Sequence, residues 1–311
     1  MILEILATSA GRARDREPLP NPLTPKAYTI PEVGAFLSFD EYTMVGSLAV
    51  LIWDVLNATR QDYTLLSTHR ITFLNIVFVI SRLSALLSET FSVLLFTTRL
   101  ETCALSQWLA NSFFFLYRLS TSTLFYARVQ GVYQSQPYAL AFFRFLWLMA
   151  AGGATMGFFS SHAFQLHPTK YCSFASKGGH WLVTIPISEA VFDVLICSAV
   201  TYKIGHDHSS PERPFWRRWL GRGEEGVTRF SDRFLKDHQL YVSLTACVKL
   251  PEIVIIFASI SVPSLSGFRS ALAFPDMTLT NILATKIYRG MKLGKKGLAS
   301  FETTATDPLF V

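Results

Sequence analysis

The sequence predicts an all-α fold: a polytopic membrane protein built as a bundle of seven transmembrane helices. Three observations predict it. Seven apolar stretches of about 18 to 25 residues follow one another along the 311-residue chain, and a run of about 20 apolar residues matches the hydrocarbon thickness of a bilayer. Half of the residues are hydrophobic and 16% are charged, with a mean hydropathy of +0.32, where a soluble domain carries about a quarter charged residues. The segments between the stretches alternate between rich and poor in Lys and Arg, as they do when successive loops face opposite sides of a membrane.

The elements follow in order. Residues 1–37 are expected to form a disordered extracytoplasmic tail, because Pro18, Pro20, Pro22, Pro25 and Pro31 punctuate a charged segment that cannot bury enough apolar surface to fold. The first residues do not read as a signal peptide: Glu4 interrupts a short apolar run and no positive residue precedes it. The first span, Phe39 to Leu56, is then the insertion signal. The others run from Ile71 to Phe96, Cys103 to Tyr126, Ala139 to Ser160, Trp181 to Ile204, Gln239 to Val262 and Phe268 to Thr285. The transmembrane domain thus covers residues 38–286, with an inner loop at about 205–238 and a basic cytoplasmic tail at 287–311. Pro263–Gly267 leaves a tight hairpin between the last two spans.

Of the 28 Lys and Arg residues, sixteen fall on the side of the C-terminus, eight on the side of the N-terminus and four within spans. Positive residues remain cytoplasmic, so the N-terminus is expected outside and the C-terminus inside, in the plasma membrane rather than an internal one. The formal charge of +6 is accordingly read as attraction to anionic lipid headgroups and not to nucleic acid. The bilayer is the first partner. Trp216-Arg217-Arg218-Trp219 in the inner loop reads as an interfacial segment or as a docking site for a cytosolic effector, together with the C-terminal tail.

Cysteine placement tests the topology. Cys103 opens the third span on the outer side and Cys172 lies in the outer loop after the fourth, whereas Cys197 and Cys247 fall inside spans. Only the first pair shares the oxidising compartment, so a Cys103–Cys172 disulfide is expected, with two free thiols as the alternative.

An outside N-terminus, seven helices and a disulfide from the third helix to the second outer loop resemble the layout of G-protein-coupled receptors. The motifs of the largest receptor class are absent: Ala127-Arg128-Val129 stands where an acidic-Arg-aromatic triplet would end the third helix, and Asn281-Ile282-Leu283-Ala284 where Asn-Pro-x-x-Tyr would close the seventh. A second resemblance covers residues 38–296 and is carried by Trp53-Asp54-x-Leu56, Ser81-Arg82, Cys103, Ala127-Arg128-Val129-x-x-Val132-Tyr133, Phe145-Leu146-Trp147-Leu148, Pro168-Thr169-Lys170-Tyr171-Cys172, Asp193, Thr201-Tyr202-Lys203, Leu279-Thr280-Asn281, Ile287-Tyr288-Arg289 and Lys292-Leu293-Gly294. In these pieces the chain is similar to a family of uncharacterised multi-pass membrane proteins of basidiomycete fungi. That resemblance implies the seven-span topology and transfers no activity.

Charges within a bilayer are costly and face the bundle interior. Those singled out are Asp54, Arg82, Glu89, Arg118, Glu189, Asp193, Lys249 and Glu252. Glu189 and Asp193 are four residues apart and share one helix face, so a cation or a proton must lie between them. Arg118, Glu189, Asp193, Lys249 and Glu252 are therefore expected to form one polar cluster between the third, fifth and sixth helices. It reads either as a ligand pocket or proton-linked switch, or as a structural ion-pair network. Asp54 and Arg82 are expected to pair between the first two helices. Arg128 is expected to meet lipid phosphates at the inner interface. Gly153 and Gly157, four apart, allow close helix approach, within the chain rather than between copies. Pro186 and Pro251 are expected to kink the fifth and sixth spans or to free carbonyls there.

Catalytic and metal readings find little support. His206-Asp207-His208 is the sole His cluster and sits beside Ser209-Ser210-Pro211, in a solvated turn. There is no HExxH, no Gly-rich phosphate loop and no Lys in the middle of the seventh span for a retinal Schiff base. The expectation is no enzyme, no cofactor and no metal. The favoured function is a receptor-like or sensor protein; the alternatives are a small-molecule or proton-coupled transporter and a structural membrane protein without a ligand.

Overall fold

A computed structural model describes residues 31–68, 72–166, 171–176, 181–207, 244, 247–258 and 269–305. Among them the chain forms seven helices and one hairpin: α1 (Pro31–Thr68), α2 (Phe73–Thr97), α3 (Cys103–Val132), α4 (Pro137–Ser160), β1 (Ser161–Leu166), β2 (Tyr171–Ser176), α5 (Trp181–Asp207), α6 (residues 247–258) and α7 (Arg269–Ala305). The expected disordered tail 1–30, most of the inner loop 205–238, the Pro263–Gly267 hairpin and the last residues lie outside the described residues.

The seven helices follow the order of the seven apolar stretches, and three of them, residues 37–67, 73–97 and 137–159, are long and apolar enough to cross a membrane by length and composition. The expected disordered tail needs one correction. Residues 31–37, expected in the disordered tail, already belong to α1; Pro31 at its first position lacks only an amide hydrogen that the first turn leaves unbonded anyway. At the other end, α7 continues as one helix through residues 287–305, the first part of the expected tail. The first span was also drawn too short, because α1 continues past Leu56 to Thr68. Its 38 residues extend about 57 Å at 1.5 Å per residue. The continuation is held by packing: Leu65 is fully buried against Phe78, Leu124 and Tyr288.

α3 occupies the middle, in contact with α2, α4, α5 and α7, while α7 also packs on α1 and α2. The largest apolar cluster joins Phe125 and Val129 of α3, Phe143 and Ala150 of α4, Phe192 and Ile196 of α5, and Leu283 and Ile287 of α7. α4 and α5 approach closely at Gly153, where an added Cβ would stand 2.7 Å from the Ser188 hydroxyl. The outward faces are the reverse of a soluble protein's. Trp53, Leu56, Phe145, Leu148, Met156 and Phe159 are more than half exposed, whereas Glu89, Asp276, Asn281 and Thr285 are fully buried.

The hairpin has no counterpart among the expected elements. β1 and β2 are antiparallel, with Gln165 opposite Cys172. A lone two-stranded ribbon is marginal in water, and this one is fastened. Cys172 is joined to Cys103 at the start of α3, with Cα atoms 5.7 Å apart, Gln165 Nε2 donates to the Leu100 carbonyl at 3.0 Å, and the Arg99 guanidinium lies over the Tyr171 ring. Cys197 is a free buried thiol and Cys247 a free exposed one.

Candidate functional site

Below the disulfide, four helices meet around buried charge. Arg118 projects from α3, Glu189 and Asp193 from adjacent turns of one α5 face, Lys249 from α6 and Asp276 from α7. All five are buried or nearly so. The Arg118 guanidinium bonds Glu189 Oε2 at 2.6 Å and reaches Asp276 Oδ2 at 3.5 Å. Lys249 Nζ donates to Asp276 Oδ2 at 3.0 Å and stands 3.6 Å from Asp193 Oδ2 and 3.9 Å from Glu189 Oε2. The rings of Phe114 and Tyr117 flank Arg118 at 5.0 and 5.5 Å, which places weakly polar faces beside a cation withdrawn from water.

Four of the five residues expected to cluster are thus joined directly. Glu252, the fifth, is buried on α6 near Lys249 and makes no ion pair within 4 Å among the described residues. The expected set lacked Asp276, which contacts both cations. Its signal was present: it is an acid within the seventh apolar stretch, one residue after Pro275.

A cavity of about 30 Å³ opens beside the ion pairs, lined by Tyr117, Arg118, Glu189, Phe192, Asp193 and Thr280 among others. Thr280 lies one turn along α7 from Asp276. Its buried Oγ1, like Glu189 Oε1 and Asp276 Oδ1, has no hydrogen-bond partner among the described residues.

α7 carries further polar contacts on either side of this centre. Thr278 Oγ1 donates to Glu89 Oε1 of α2 at 2.5 Å, and Tyr117 donates its hydroxyl to the Met277 carbonyl at 3.0 Å. Asn281 Nδ2 donates to the carbonyl and hydroxyl oxygens of Ser81 at 3.1 and 3.2 Å, and the Ser81 hydroxyl meets that of Thr121 at 2.8 Å. Further along, Arg128 Nη2 donates to the Ala284 carbonyl at 2.7 Å with its guanidinium over Phe125. Arg128 therefore does not meet lipid phosphates as expected; it is buried and ties α3 to α7.

Arg82 of α2 is bonded by Asp54, its expected partner, and also by Asp62, both on α1. Asp62 in turn accepts from Arg289 Nη1 of α7 at 3.1 Å. Asp62 and Arg289 were not foreseen as partners because the first and seventh spans were drawn to end before them. Tyr288 closes this end by donating to Asn75 Oδ1 at 2.6 Å while stacking on Phe78.

The geometry offers two ion-pair centres: one among α3, α5, α6 and α7 beside a water-sized cavity, the other joining α1, α2 and α7. Both link helices through shared charged partners. Compared with known proteins, the chain matches no family model and none of the curated proteins.

Proposed function

We propose that the chain is a seven-span integral membrane protein of receptor or sensor type, with its N-terminus outside and its C-terminus in the cytosol. The apolar residues on the outer faces of α1 and α4 form the surface a bilayer would cover, and the polar groups turn inward where neighbouring helices satisfy them. The signal is received at the hairpin and the upper bundle. The inner loop and the basic end of α7 meet a cytosolic effector.

One observation carries this reading. The charged centre connects α3, α5, α6 and α7 through shared partners, since Lys249 and Arg118 each contact Glu189 and Asp276. A displacement of any one of these helices must rearrange the contacts of the other three. The outer hairpin is covalently bound to the first residue of α3, so movement of that hairpin acts on a helix that carries Arg118. The cavity at this centre, at about 30 Å³, has room for water.

Proximity labelling from the C-terminus in the native cell, against a membrane protein of the same orientation, tests the proposal. Enrichment of a GTP-binding protein subunit or a kinase supports it. Enrichment of trafficking and lipid-handling proteins alone overturns it, and flux assays then become the next measurement.

A further inference from the structure

Four carboxyl groups, Glu189, Asp193, Glu252 and Asp276, are buried around two cations, Arg118 and Lys249. Full ionisation would leave two negative charges uncompensated among helices proposed to lie within the bilayer, where isolated charge is expensive. The partners are unevenly shared. Glu189 and Asp276 each contact both cations. Among the described residues Asp193 pairs only with Lys249, at 3.6 Å, and that ammonium is already bonded to Asp276 at 3.0 Å. Glu252 has no ion pair among the described residues.

An independent observation points to a polar ligand in the cavity that Asp193 lines. Thr280 faces the same space, is 2% exposed, and its Oγ1 has no hydrogen-bond partner among the described residues, as is also true of Glu189 Oε1. A buried hydroxyl and a carboxylate oxygen without partners are costly. A volume of about 30 Å³ exceeds the roughly 10–15 Å³ needed to hold one water. Among the described residues no three acidic, His or Cys side chains converge as a ligand set for a metal ion, and the volume suits water.

We propose that this cavity is a hydrated proton-binding site, in which water bridges Thr280 and Glu189 and the proton resides on Asp193, with Glu252, one turn from Lys249 on α6, held neutral. The charged and titratable groups around Asp193 are Arg118 from α3, Glu189 and Cys197 from α5, Lys249 from α6 and Asp276 from α7, with Tyr117 of α3 on the same cavity wall, while Glu252 lies one turn from Lys249 on α6. α4 contributes Ala150 to the cavity wall. Loss of the Asp193 proton adds a negative charge one turn below Glu189 and draws Lys249 from Asp276 toward α5. The α6–α7 contact then loosens as the α5–α6 contact tightens. The proposal rests on the membrane placement of these helices and gives the sensor reading a ligand, the proton.

The test is infrared difference spectroscopy of the full chain in lipid nanodiscs, titrated between about pH 8 and about pH 5. The expected wild-type spectrum gains a protonated-carboxyl band on acidification, and the band shifts in D2O. Asp193→Asn should remove that gain, Glu252→Gln should leave it, and Thr280→Val should move its frequency by removing one anchor of the water in the cavity that Asp193 lines. A wild type with no such band, or a band indifferent to Asp193→Asn, overturns the proposal. Where Asp193→Asn does not assemble, a band unmoved by Thr280→Val or lost in Glu252→Gln overturns it instead. A titrating Asp193 without any cytosolic effector would leave the proton site standing and remove the receptor reading, so the two can fail separately.

Discussion

Lys249 Nζ lies 3.0 Å from Asp276 Oδ2, and this contact fastens α6 to α7. Both side chains are buried, so removing one leaves the other charged without its nearest partner. Breaking a buried pair of this kind costs about 3–5 kcal/mol, whereas replacing both members by apolar groups is often close to neutral. Lys249→Met is therefore expected to lower the thermal midpoint in detergent strongly, as is Asp276→Leu. The double variant should recover part of the loss. Losses that simply add would show that the two side chains do not act as a pair.

Arg118→Leu is expected to be at least as damaging, because Glu189 loses its 2.6 Å partner and Asp276 loses a second cation. Surface expression and detergent melting measure it. A variant that traffics and melts like the wild type would show that the central ion pairs contribute nothing to assembly.

The Cys103–Cys172 bridge closes a loop with a sequence separation of 69, and the chain-entropy account assigns such a loop an upper stabilisation of about 4 kcal/mol. Since each cysteine acts only through the other, Cys103→Ser and Cys172→Ser should give equal defects, and the double variant no more than either. Melting curves of the three variants decide it. A larger loss in the double variant would mean that the two sulfurs stabilise the hairpin separately.

The helical elements were readable because apolar length and loop charge are local properties of the chain. The ion partners were only half readable. Glu189 and Asp193 announce themselves by a spacing of four, but which helix supplies their cations depends on rotation about each axis, which no single segment encodes. Asp276 escaped although it lay within the seventh apolar stretch. Asp62 escaped for another reason: hydropathy falls after Leu56, while the helix is carried to Thr68 by Leu65 packing on Phe78 and Tyr288, a tertiary effect. The hairpin was hidden similarly. Phe164-Gln165-Leu166 and Cys172-Ser173-Phe174 alternate as strands do, yet segments this short pair stably only where the disulfide and Leu100 hold them.

Gly153 should discriminate by size. The atom an added Cβ would meet, at 2.7 Å, is the Ser188 hydroxyl, the movable end of a side chain. Gly153→Ala is therefore expected to be mild, and Gly153→Val, with two further carbons at the α4–α5 contact, severe. Gly152, whose Cβ would meet nothing within 4 Å, supplies the control as Gly152→Ala. Melting temperatures in one detergent rank the three. Equal effects at both glycines would exclude a close α4–α5 approach at Gly153.

At the other end of the bundle, Asp62 holds two arginines from different helices, since Oδ2 accepts from Arg82 and Oδ1 from Arg289. Among the described residues Asp54 pairs with Arg82 alone. Asp62→Asn removes the charge that links α1 to both α2 and α7, and it leaves Arg289 without an ion-pair partner among the described residues. Asp54→Asn leaves Arg82 with Asp62 still in place. Removing a partner from a buried charge costs about 3–5 kcal/mol, and these groups are somewhat more open than the central ones, so the Asp62 variant should fall at or below the lower figure and the Asp54 variant well under it. Combining Asp62→Asn with Arg289→Met should return part of the stability, because the stranded guanidinium is removed; the same Arg289→Met in the wild type should destabilise. A ranking with Asp54→Asn as the more damaging change would place the weight of the centre on the α1–α2 contact and detach α7 from it.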